Sequence, residues 1–409
     1  MATPKLRFKE FDGEWSKSSI LDLSKEKALN NGVFNDQNKV GKGYKLINVL
    51  DMYIERDIDE ARLSLLDLDA KEFERNKVKY GDIFFTRSSL VKEGIAFSNV
   101  YLGNANDVTY DGHLIKLSPN LERIDPIFLN FSLKTENVRK QLIQGGKTAT
   151  MTTIGQKEVG GCQLDIPSKK EQTKIASFLS AVDDKISQLT QKHELLSQYK
   201  QGMMQKLFSQ QIRFKADDGS EFGEWEKTTL GLTGKFIGGG TPSKEVAEFW
   251  QGSIPWISSS DLVDESIFNI NITRFISTDA LNQSATKLIP ANSILIVSRV
   301  GVGKVAVTDR DICTSQDFTN LVLSNGNAVF FGYSIKSLTG RLLEMNQGTS
   351  IKGFVKDDLS NLKVQIPSLE EQTKIANFLS AIDQKIEIVA QQIEQAKQWK
   401  KGLLQQMFV

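Results

Sequence analysis

The stretch IPSKKEQTKIASFLSAVDDKI occupies residues 166–186, and IPSLEEQTKIANFLSAIDQKI occupies residues 366–386. The two blocks differ only at positions 169, 170, 177, 182 and 184 of the first copy. The similarity continues to YKQGMMQKLF at 199–208 and WKKGLLQQMF at 399–408, and each half opens with Arg-Phe followed by Gly-Glu-Trp. Such an internal repeat predicts two half-molecules with a built-in pseudo-symmetry.

Each repeated block carries the start signal of a helix. Pro167 precedes Ser168 and Glu171, and the same Pro-Ser-x-x-Glu string recurs at 367–371. This pattern predicts a capping box, in which the serine accepts the amide of the third helical residue and the glutamate reaches back to the cap amide. Apolar positions then recur at alternating steps of four and three, which predicts a heptad seam on two helices of about 40 residues. The seam positions are Ile175, Leu179, Val182, Ile186, Leu189, His193, Leu196, Lys200, Met203 and Leu207 in the first copy, and Ile375, Leu379, Ile382, Ile386, Val389, Ile393, Ala396, Lys400, Leu403 and Met407 in the second.

An apolar stripe of this length is costly to leave in water, so it needs a partner. The other copy is the economical partner, which predicts an antiparallel helix pair with a pseudo-twofold relation between the halves. The alternative is two separate amphipathic helices, each packed on its own domain. His193 is expected to be a packed core residue rather than a ligand.

The segments between the repeats alternate short apolar runs with turn residues, as at 80–86, 112–117, 292–297 and 320–323, which indicates strands. A helical stretch is expected at 126–144. The predicted fold class is therefore α/β (α+β): two β-rich domains joined by two long antiparallel helices that form a coiled-coil spacer. We expect a first domain at 1–165, a central helix at 166–210, a second domain at 211–365 and a C-terminal helix at 366–409.

Composition limits the other classes of protein. The 409 residues are 40% hydrophobic with a net charge of +1, and the chain has neither an apolar run of membrane-spanning length nor an apolar N-terminal signal. We expect a cytoplasmic protein. The two cysteines lie far apart in sequence, which argues against a disulfide framework or a zinc site. Near-neutral charge leaves nucleic-acid binding open, because a basic face can be balanced elsewhere.

Catalytic motifs fare poorly. Gly301-Val302-Gly303-Lys304 resembles a phosphate loop, but Ser298 stands where Walker A needs glycine and Val305 where it needs Ser or Thr. The sequence contains no GxSxG, HExxH or GxGxxG string. An amino-methyltransferase motif needs two adjacent prolines, and no two prolines of this chain are adjacent. We therefore expect a non-catalytic chain with no metal and no cofactor of its own.

Several segments combine glycine, hydroxyl and basic residues, a composition that lets backbone and side chains approach a nucleic acid. Each segment alone is more often an ordinary solvated turn. The candidate DNA-binding residues in them are Lys42, Lys45, Arg87, Ser88, Ser89, Lys147 and Thr148 in the first half, and Thr241, Ser243, Lys244, Ser258, Ser259, Ser260, Arg299, Lys304 and Lys352 in the second.

The twice-repeated Pro-Ser-x-x-Glu-Gln block, the GTPSK string at 240–244 and the IPWISSSDL string at 254–262 resemble the specificity subunit of type I restriction-modification enzymes over the whole chain. Tyr80-Gly81-Asp82-Ile83 resembles the family's Gly-Asp-Ile element, from which Asn292-Ser293-Ile294 departs. The resemblance implies two target-recognition domains, each reading one half of a bipartite, asymmetric DNA site across an unread spacer that the helix pair sets. It also implies two methyltransferase subunits, which carry S-adenosylmethionine, and two restriction subunits, which use ATP and Mg.

On this interpretation Arg87 and Arg299 contact base edges or phosphates, because arginine can bind guanine bidentately. Lys45, Lys147, Lys244 and Lys352 would position the DNA backbone. Two rival hypotheses remain at this point. One is a scaffold whose helices tether two protein-binding modules without reading DNA. The other is a specificity module split from an enzyme that cuts beside its site.

Overall fold

The computed structural model describes residues 4–34, 37–54, 56–345 and 353–408. The chain folds into two compact units, and each unit contains part of both long helices. The first unit comprises Met1–Thr190 with Gln391–Val409, and the second comprises Gln191–Ala390. The predicted division into two domains and two helices, with boundaries at 165, 210 and 365, stays a prediction.

The described part of the first unit begins with twelve short strands and the helices between them. Its strands are β1 (Ser16–Ser19), β2 (Ser24–Asn31), β3 (Val40–Ile47), β4 (Ser64–Leu66), β5 (Ile83–Thr86), β6 (Ser88–Ser89), β7 (Ser98–Val100), β8 (Val108–Tyr110), β9 (Leu114–Pro119), β10 (Lys147–Thr148), β11 (Thr152–Thr153) and β12 (Gln163–Ile166). The helices of this part of the chain are α1 (Ile20–Leu23), α2 (Ala70–Asn76), α3 (Pro126–Leu133), α4 (Glu136–Gly145), α5 (Gln156–Gly161) and α6 (Lys169–Phe208).

The second body has a similar order of elements, but its described part has no counterpart of β6, β10 and β11, and one helix stands where α3 and α4 lie in the first. Its strands are β13 (Glu226–Thr229), β14 (Gly234–Gly238), β15 (Ile254–Ile257), β16 (Arg274–Ile276), β17 (Leu288–Ile289), β18 (Ile294–Ile296), β19 (Val305–Val307), β20 (Ile312–Thr314), β21 (Thr319–Leu323) and β22 (Lys363–Ile366). Its helices are α7 (Thr278–Gln283), α8 (Ala328–Met345), α9 (Lys356–Ser360) and α10 (Leu369–Met407). Short 3-10 turns lie at Gln37–Lys39, Val49–Met52, Glu60–Arg62, Lys92–Gly94, Leu230–Leu232, Ala247–Trp250 and Ser259–Asp261.

Each unit is built around an antiparallel four-stranded sheet. The strand order is β2-β9-β5-β7 in the first unit and β14-β21-β18-β19 in the second. Ile83 pairs with Leu117 in one sheet, and Ile294 pairs with Leu321 in the other. The central strands are apolar on both faces, as Ile83, Phe84 and Phe85 are fully buried. The two sheets are therefore equivalent, although the sequences of the two bodies share little.

A second sheet in each unit contains a parallel strand pair. In the first unit the order is β4-β3-β8, with β3 parallel to β8. In the second unit the order is β16-β15-β20-β17, with β15 parallel to β20. A two-stranded ribbon, β1 with β12 or β13 with β22, then leads directly into the long helix of that half.

The long helices form an antiparallel pair, as the heptad seam predicted. In the first unit the start of α6 packs on the end of α10, where Leu179 and Val182 share one core with Leu403 and Met407. In the second unit the end of α6 packs on the start of α10, where Leu207 shares a core with Leu379 and its neighbours. Because the start of one helix meets the end of the other, the two run in opposite directions. The alternative of two helices packed separately is not supported.

Two seam lysines make matched ion pairs inside the units. Lys400 lies 2.5 Å from Asp183 in the first unit, and Lys200 lies 2.5 Å from Asp383 in the second. The Tyr333 hydroxyl also donates to Asp383 at 2.5 Å. Low exposure of these groups requires that each charge be paired. The two lysines therefore belong to the seam despite their polarity, whereas His193 is half-buried and lines a cavity of about 460 Å³ beside Lys200.

The start of each long helix is tied to the opening strip of its half by an arginine and a tryptophan. Arg7 donates to both oxygens of Glu171 at 2.7 and 2.8 Å, and the Trp15 indole donates at 3.4 Å. Arg213, Trp225 and Glu371 repeat the arrangement at 3.1, 2.7 and 3.1 Å. The repeated Arg-Phe and Gly-Glu-Trp strings therefore anchor the helices. A bidentate arginine contact of this kind also fixes geometry.

Two local predictions change on inspection of the structure. Ser168 accepts the amide of Glu171 at 3.4 Å, as the capping box requires, but the described contacts of the Glu171 carboxylate go to Arg7 and Trp15. The single helix expected at 126–144 is two helices, α3 and α4, because Thr135 adopts an extended conformation and starts the second one. Across the described residues no helix is long and apolar enough to cross a membrane.

Candidate nucleic-acid interface

Two of the predicted segments of the first unit meet in a small three-stranded sheet. Strand β11 lies in the middle, with β10 on one side and β6 on the other. Lys147 pairs with Thr153, which in turn pairs with Ser88. The Thr148 and Thr152 hydroxyls lie 3.0 Å apart. The structure thus brings Ser88, Ser89, Lys147 and Thr148 together, although nearly sixty residues separate them in sequence.

Arg87 stands at the edge of this small sheet. Its carbonyl accepts the amide of Ile154 at 3.0 Å, and its own amide donates to the His113 carbonyl at 3.0 Å. The guanidinium is exposed and donates to the Gly112 carbonyl at 3.2 Å, which holds it over the β8–β9 turn. His113 is also exposed, and its Nδ1 lies 2.7 Å from the Asp111 carboxylate. Sequence reasoning missed His113, because a lone histidine in a turn gives no signal.

Lys42 and Lys45 lie on β3 and are engaged by carboxylates. Lys42 lies 3.0 Å from Asp67, and Lys45 lies 2.8 Å from Glu60. The hydrogen bond that Lys45 donates to Glu60 raises the pKa of Lys45 and lowers the pKa of Glu60. Among the described contacts, neither lysine touches the Arg87 sheet. These two ammonium groups would have to exchange a carboxylate for a phosphate in order to bind DNA.

In the second unit the GTPSK segment packs beside the parallel strands. The Trp256 indole donates to the Gly240 carbonyl at 2.9 Å, and Thr241 donates to Gln316. Ser243 and Lys244 are exposed, and the Ser243 carbonyl accepts the Trp250 indole at 3.1 Å. The two tryptophans that follow the segment in sequence therefore hold its backbone. This arrangement leaves the Lys244 side chain turned to solvent.

The three serines at 258–260 form a turn closed by Asp261. The amide of Ser258 donates to the Asp261 carboxylate at 2.7 Å, and Ser258 and Ser260 share a hydrogen bond at 2.9 Å. Arg274 donates to Ser258 at 2.7 Å, also binds Asp261, and stacks 4.6 Å from the Trp256 ring. Arg274 was not predicted, since it lies in a segment without glycine or hydroxyl clusters.

Lys304 and Arg299 lie near this turn but differ in what they contact. The Lys304 ammonium donates to the carbonyls of Ser259 at 3.3 Å and Leu262 at 2.9 Å, so it holds the serine turn in place. Arg299 is exposed, and no described residue makes an ion pair with it. Lys352 lies outside the described residues. Of the two described cations, Arg299 is the one presented to solvent.

The serine turn has a counterpart in the first unit that sequence reasoning missed. The amide of Asn48 donates to the Asp51 carboxylate at 2.7 Å, as Ser258 does to Asp261. Both turns follow the strand that runs parallel to its neighbour. Burial raises the pKa of Asp51. The sequences of the two turns, at 48–51 and 258–261, share only the aspartate at the fourth position. One shared residue is too little to identify the two turns as equivalent from sequence.

The departure of Asn292 from the Gly-Asp-Ile element is conformationally mild. Gly81 has φ +88°, and Asn292, at the equivalent place before β18, has φ +62°. Asparagine tolerates this left-handed region better than most residues. The Asp82 carboxylate accepts the amide of Lys79 at 2.9 Å and lies 3.7 Å from Lys116. Ser293 replaces that aspartate without changing the strand.

The chain matches the type I restriction modification DNA specificity domain twice, over residues 13–198 and 223–398. It is 27% identical over 410 residues to a putative type I restriction enzyme MjaX specificity subunit of Methanocaldococcus jannaschii, covering 97% of this chain and 93% of that protein. It is 36% identical over 173 residues to the EcoR124I/EcoR124II specificity subunit of Escherichia coli, covering 39% and 41%.

Two solved structures share the fold. The type I restriction-modification S subunit from M. genitalium superposes with a TM-score of 0.61 at 17% identity, covering 100% of this chain and 99% of that chain. A chain from a study of complex assembly and conformational transition of the type I R-M system gives 0.59 at 14% identity, covering 97% of both. Similarity at this level of identity establishes the fold.

The doubled family match covers most of the chain, and the scaffold hypothesis is not favoured by any of these comparisons. Specificity subunits are the non-catalytic members of their complexes, which agrees with a chain in which no catalytic motif was found. Such a role implies DNA, methyltransferase and restriction partners. The chain belongs to the type I restriction-modification specificity family, and its two repeats are DNA sequence recognition domains.

Proposed function

We propose that each unit reads one half of a bipartite, asymmetric DNA site, and that the chain recruits two methyltransferase subunits and, through them, two restriction subunits. The observation that supports this proposal is that the two units share the same sheet frame but carry different candidate contact segments, the Arg87 sheet in the first unit and the GTPSK segment with the serine turn in the second. Two domains with the same fold but different contact residues can bind two different half-site sequences.

In the first unit the proposed contact surface is the Arg87 sheet with His113 beside it. Arginine, hydroxyl and imidazole groups offer the donors that read base edges in a major groove. Lys147 is 84% exposed and lies 3.8 Å from Glu158, a loose pairing that a phosphate could replace. We assign Lys147 to phosphate and Arg87 to a base or a phosphate.

In the second unit the proposed surface comprises the GTPSK segment, the serine turn and Arg299. Ser258 and Ser260 present hydroxyl groups, and Lys244 and Arg299 present exposed cations that form no ion pair with a described residue. Lys304 acts indirectly, because it supports the serine turn. We assign Lys42 and Lys45 to phosphate contacts, for which each ammonium must first give up its carboxylate. Lys352, which lies outside the described residues, stays a predicted contact to the DNA backbone.

The proposed partners supply the chemistry. S-adenosylmethionine would be bound by the methyltransferase subunits, and ATP and Mg by the restriction subunits, so this chain needs no cofactor of its own. Since its proposed ligand is DNA in a restriction system, we propose that it acts in the cytoplasm.

The test is to co-express the chain with its adjacent methyltransferase in a host that lacks adenine methylation, and to map modified adenines by single-molecule sequencing. We expect one bipartite motif with a fixed gap. Absence of new methylation from a complex shown to assemble by gel filtration would contradict the proposal. An adjacent partner that carried both methyltransferase and nuclease motifs would support a specificity module of an enzyme that cuts beside its site.

A further inference from the structure

Equivalent hairpins project from the central sheet of each unit. In the first unit the hairpin joins β5 to β7, where Thr86 donates to Phe97 at 3.0 Å and accepts from Ala96 at 3.2 Å. In the second it joins β18 to β19, where Val297 donates to Lys304 at 2.9 Å and accepts from Gly303 at 3.0 Å. The same pair of backbone hydrogen bonds closes both loops, so residues 87–95 and 298–302 occupy the same place in the two units.

Both hairpin loops expose aliphatic side chains. Leu90 is 86% exposed and Val91 is 61% exposed in the first loop, and Val300 is 70% exposed in the second. Each aliphatic tip follows an arginine within three residues, Arg87 or Arg299. Exposure of aliphatic surface costs free energy in water, at about 25 cal/mol per Å². A tip of this kind at the same position in both units calls for a common partner.

The first loop is held rigidly from below, so Leu90 is presented in a defined position. Arg139 donates to the carbonyls of Glu93, Ile95 and Ala96 at 2.9, 2.6 and 2.6 Å. The Ser89 hydroxyl accepts the amide of Val91 at 3.3 Å and so closes the turn under Leu90. Contact residues that are fixed before binding lose less entropy when they bind.

The second loop is supported in another way. Lys304 ties its descending strand to the serine turn. Thr339 donates to the Gly303 carbonyl at 3.3 Å. Gly301 adopts φ +81°, a backbone conformation that residues other than glycine rarely adopt. This conformation allows the chain to reverse direction directly after Val300. Both aliphatic tips are therefore built features of the fold.

The neighbours of both tips favour a polyanion as the partner. Arg87, Lys92 and Lys147 lie on or beside the first loop with one loop carboxylate, Glu93, and Arg299 is the single charged residue of residues 298–302. The three-stranded sheet and the serine turn add hydroxyl groups. An aliphatic tip inside a basic, hydroxyl-bearing rim matches DNA, whose bases carry apolar surface between two charged backbones.

Resting on the proposed function, we infer that Leu90 and Val300 are specificity-determining residues that contact the apolar surface of base pairs, one in each half-site. An aliphatic side chain has no hydrogen-bonding atom, so it discriminates by contact alone. In the major groove the apolar group that distinguishes base pairs is the thymine 5-methyl. An aliphatic residue can also wedge between base pairs, in which case it reads their ease of unstacking.

The experiment uses the complex of the full chain with its methyltransferase and duplexes that carry the motif found by methylation mapping. Leu90→Asn and Val300→Asn remove the aliphatic surface, and Leu90→Met keeps it. Leu232→Asn is the matched control, because Leu232 is 79% exposed and lies outside both loops. Binding is measured on the cognate duplex, on duplexes with single base-pair changes, and on duplexes with uracil in place of each thymine.

We expect Leu90→Asn to weaken binding to the cognate duplex about tenfold, at the scale of one mismatched base pair. The loss should disappear on duplexes already changed at one position of one half-site, and Val300→Asn should act on the other half-site. Leu90→Met should bind more tightly than Leu90→Asn, and Leu232→Asn should match the unchanged chain. The position in question is the one at which the asparagine variant lost discrimination. If uracil there weakens binding by the unchanged chain but not by the asparagine variant, the contact is a thymine methyl. If uracil has no effect and the asparagine variants still lose discrimination, the contact is a wedge.

Equal binding by the asparagine variants and the unchanged chain on every duplex would overturn the inference. Equal weakening on cognate and unrelated duplexes would also overturn it, since apolar reading must depend on sequence. Circular dichroism and assembly with the methyltransferase identify a variant that has lost its fold, and Leu90→Met then serves as the intact comparison. Failure of the unchanged complex to produce a motif would instead contradict the proposed function.

Discussion

Arg87 and Arg299 follow equivalent strands of the two units, one residue apart in register, and both are exposed. The difference lies in their support. Arg87 is held by the Gly112 carbonyl, whereas no described residue pairs with Arg299. Arginine that is held in place can deliver a bidentate contact with little loss of entropy. If both residues contact DNA as proposed, Arg87 is the fixed contact and Arg299 the adaptable one.

Arg87→Ala is expected to cost about 1–3 kcal/mol of binding free energy if Arg87 reads a base. The loss should relax the motif at one position of the half-site read by the first unit and leave the other half-site unchanged. Arg75→Ala is the control, because Arg75 is an exposed arginine in α2, outside the Arg87 sheet. Methylation mapping and binding to mutated duplexes provide the measurement. Uniform weakening on all sequences would make Arg87 a phosphate contact.

Lys134 gives the first unit a pH dependence. Burial, with the neighbouring Lys400 ammonium, lowers the pKa of Lys134 to about 8 from 10.5. The unfolded chain then binds more protons between pH 8 and 10.5, so the contribution to stability rises with pH through that window. Below pH 8 the buried charge costs about 3 kcal/mol.

Lys134→Met is therefore expected to raise the unfolding midpoint at pH 7 and to lose this advantage as the pH approaches 10. Lys336, at the equivalent place on α8, forms an ion pair with Asp264, so Lys336→Met should give no such gain. Thermal unfolding of the four combinations of variant and pH tests both statements. A Lys134→Met midpoint below that of the unchanged chain at pH 7 would show that the ammonium is stabilising.

At the scale of elements, the long helices are held by their seam. Leu189 is 6% exposed on α6, while its neighbour Gln188 is exposed. Burial of a carboxylate without a partner costs several kcal/mol, and the same carboxylate one position away remains in water. An aspartate at position 189 therefore tests the buried seam, and an aspartate at position 188 is its control on the exposed face of the same helix.

Leu189→Asp is expected to disrupt the packing of α6 on α10, and Gln188→Asp is expected to leave it intact. Because the helix pair is proposed to set the unread spacer, the methylated motif of Leu189→Asp should lose its fixed gap. Methylation mapping measures the gap, and gel filtration with the methyltransferase measures assembly. An unchanged motif together with unchanged assembly would contradict a structural role for the seam.

At the scale of the whole molecule, the two units carry duplicate and separate supports. Each unit has its own Arg-Trp-Glu anchor and its own seam ion pair. The described contact partners of Arg87 lie in the first unit, whereas Arg299 belongs to the second. Substitutions without shared partners usually have additive effects on free energy.

The double variant Arg87→Ala with Arg299→Ala is therefore expected to lose the sum of the single losses, within about 0.5 kcal/mol. The measurement is a double-mutant cycle: binding of the unchanged chain, both single variants and the double variant to one cognate duplex. A large departure from additivity would mean that binding of one half-site depends on the other. The motif of the double variant should be relaxed in both halves.

The sequence alone determined the repeat, the long seam helices and the family, because those signals are local and periodic. The serine cap at Ser168 could be read for the same reason. The partners of Glu171 could not, because Arg7 and Trp15 lie more than 150 residues away. The interruption at Thr135 was missed because a single residue in an extended conformation gives little pattern.

Only the tertiary structure decided which candidate residues lie together. Ser88 meets Lys147 through an intervening strand, and Lys304 turns inward to two carbonyls although its sequence context matches that of Arg299. Composition marks a loop as able to approach DNA, but strand register and the nearest hydrogen-bond partners decide where each side chain points. Hence the helices were predictable from the sequence, and the contact surface required the fold.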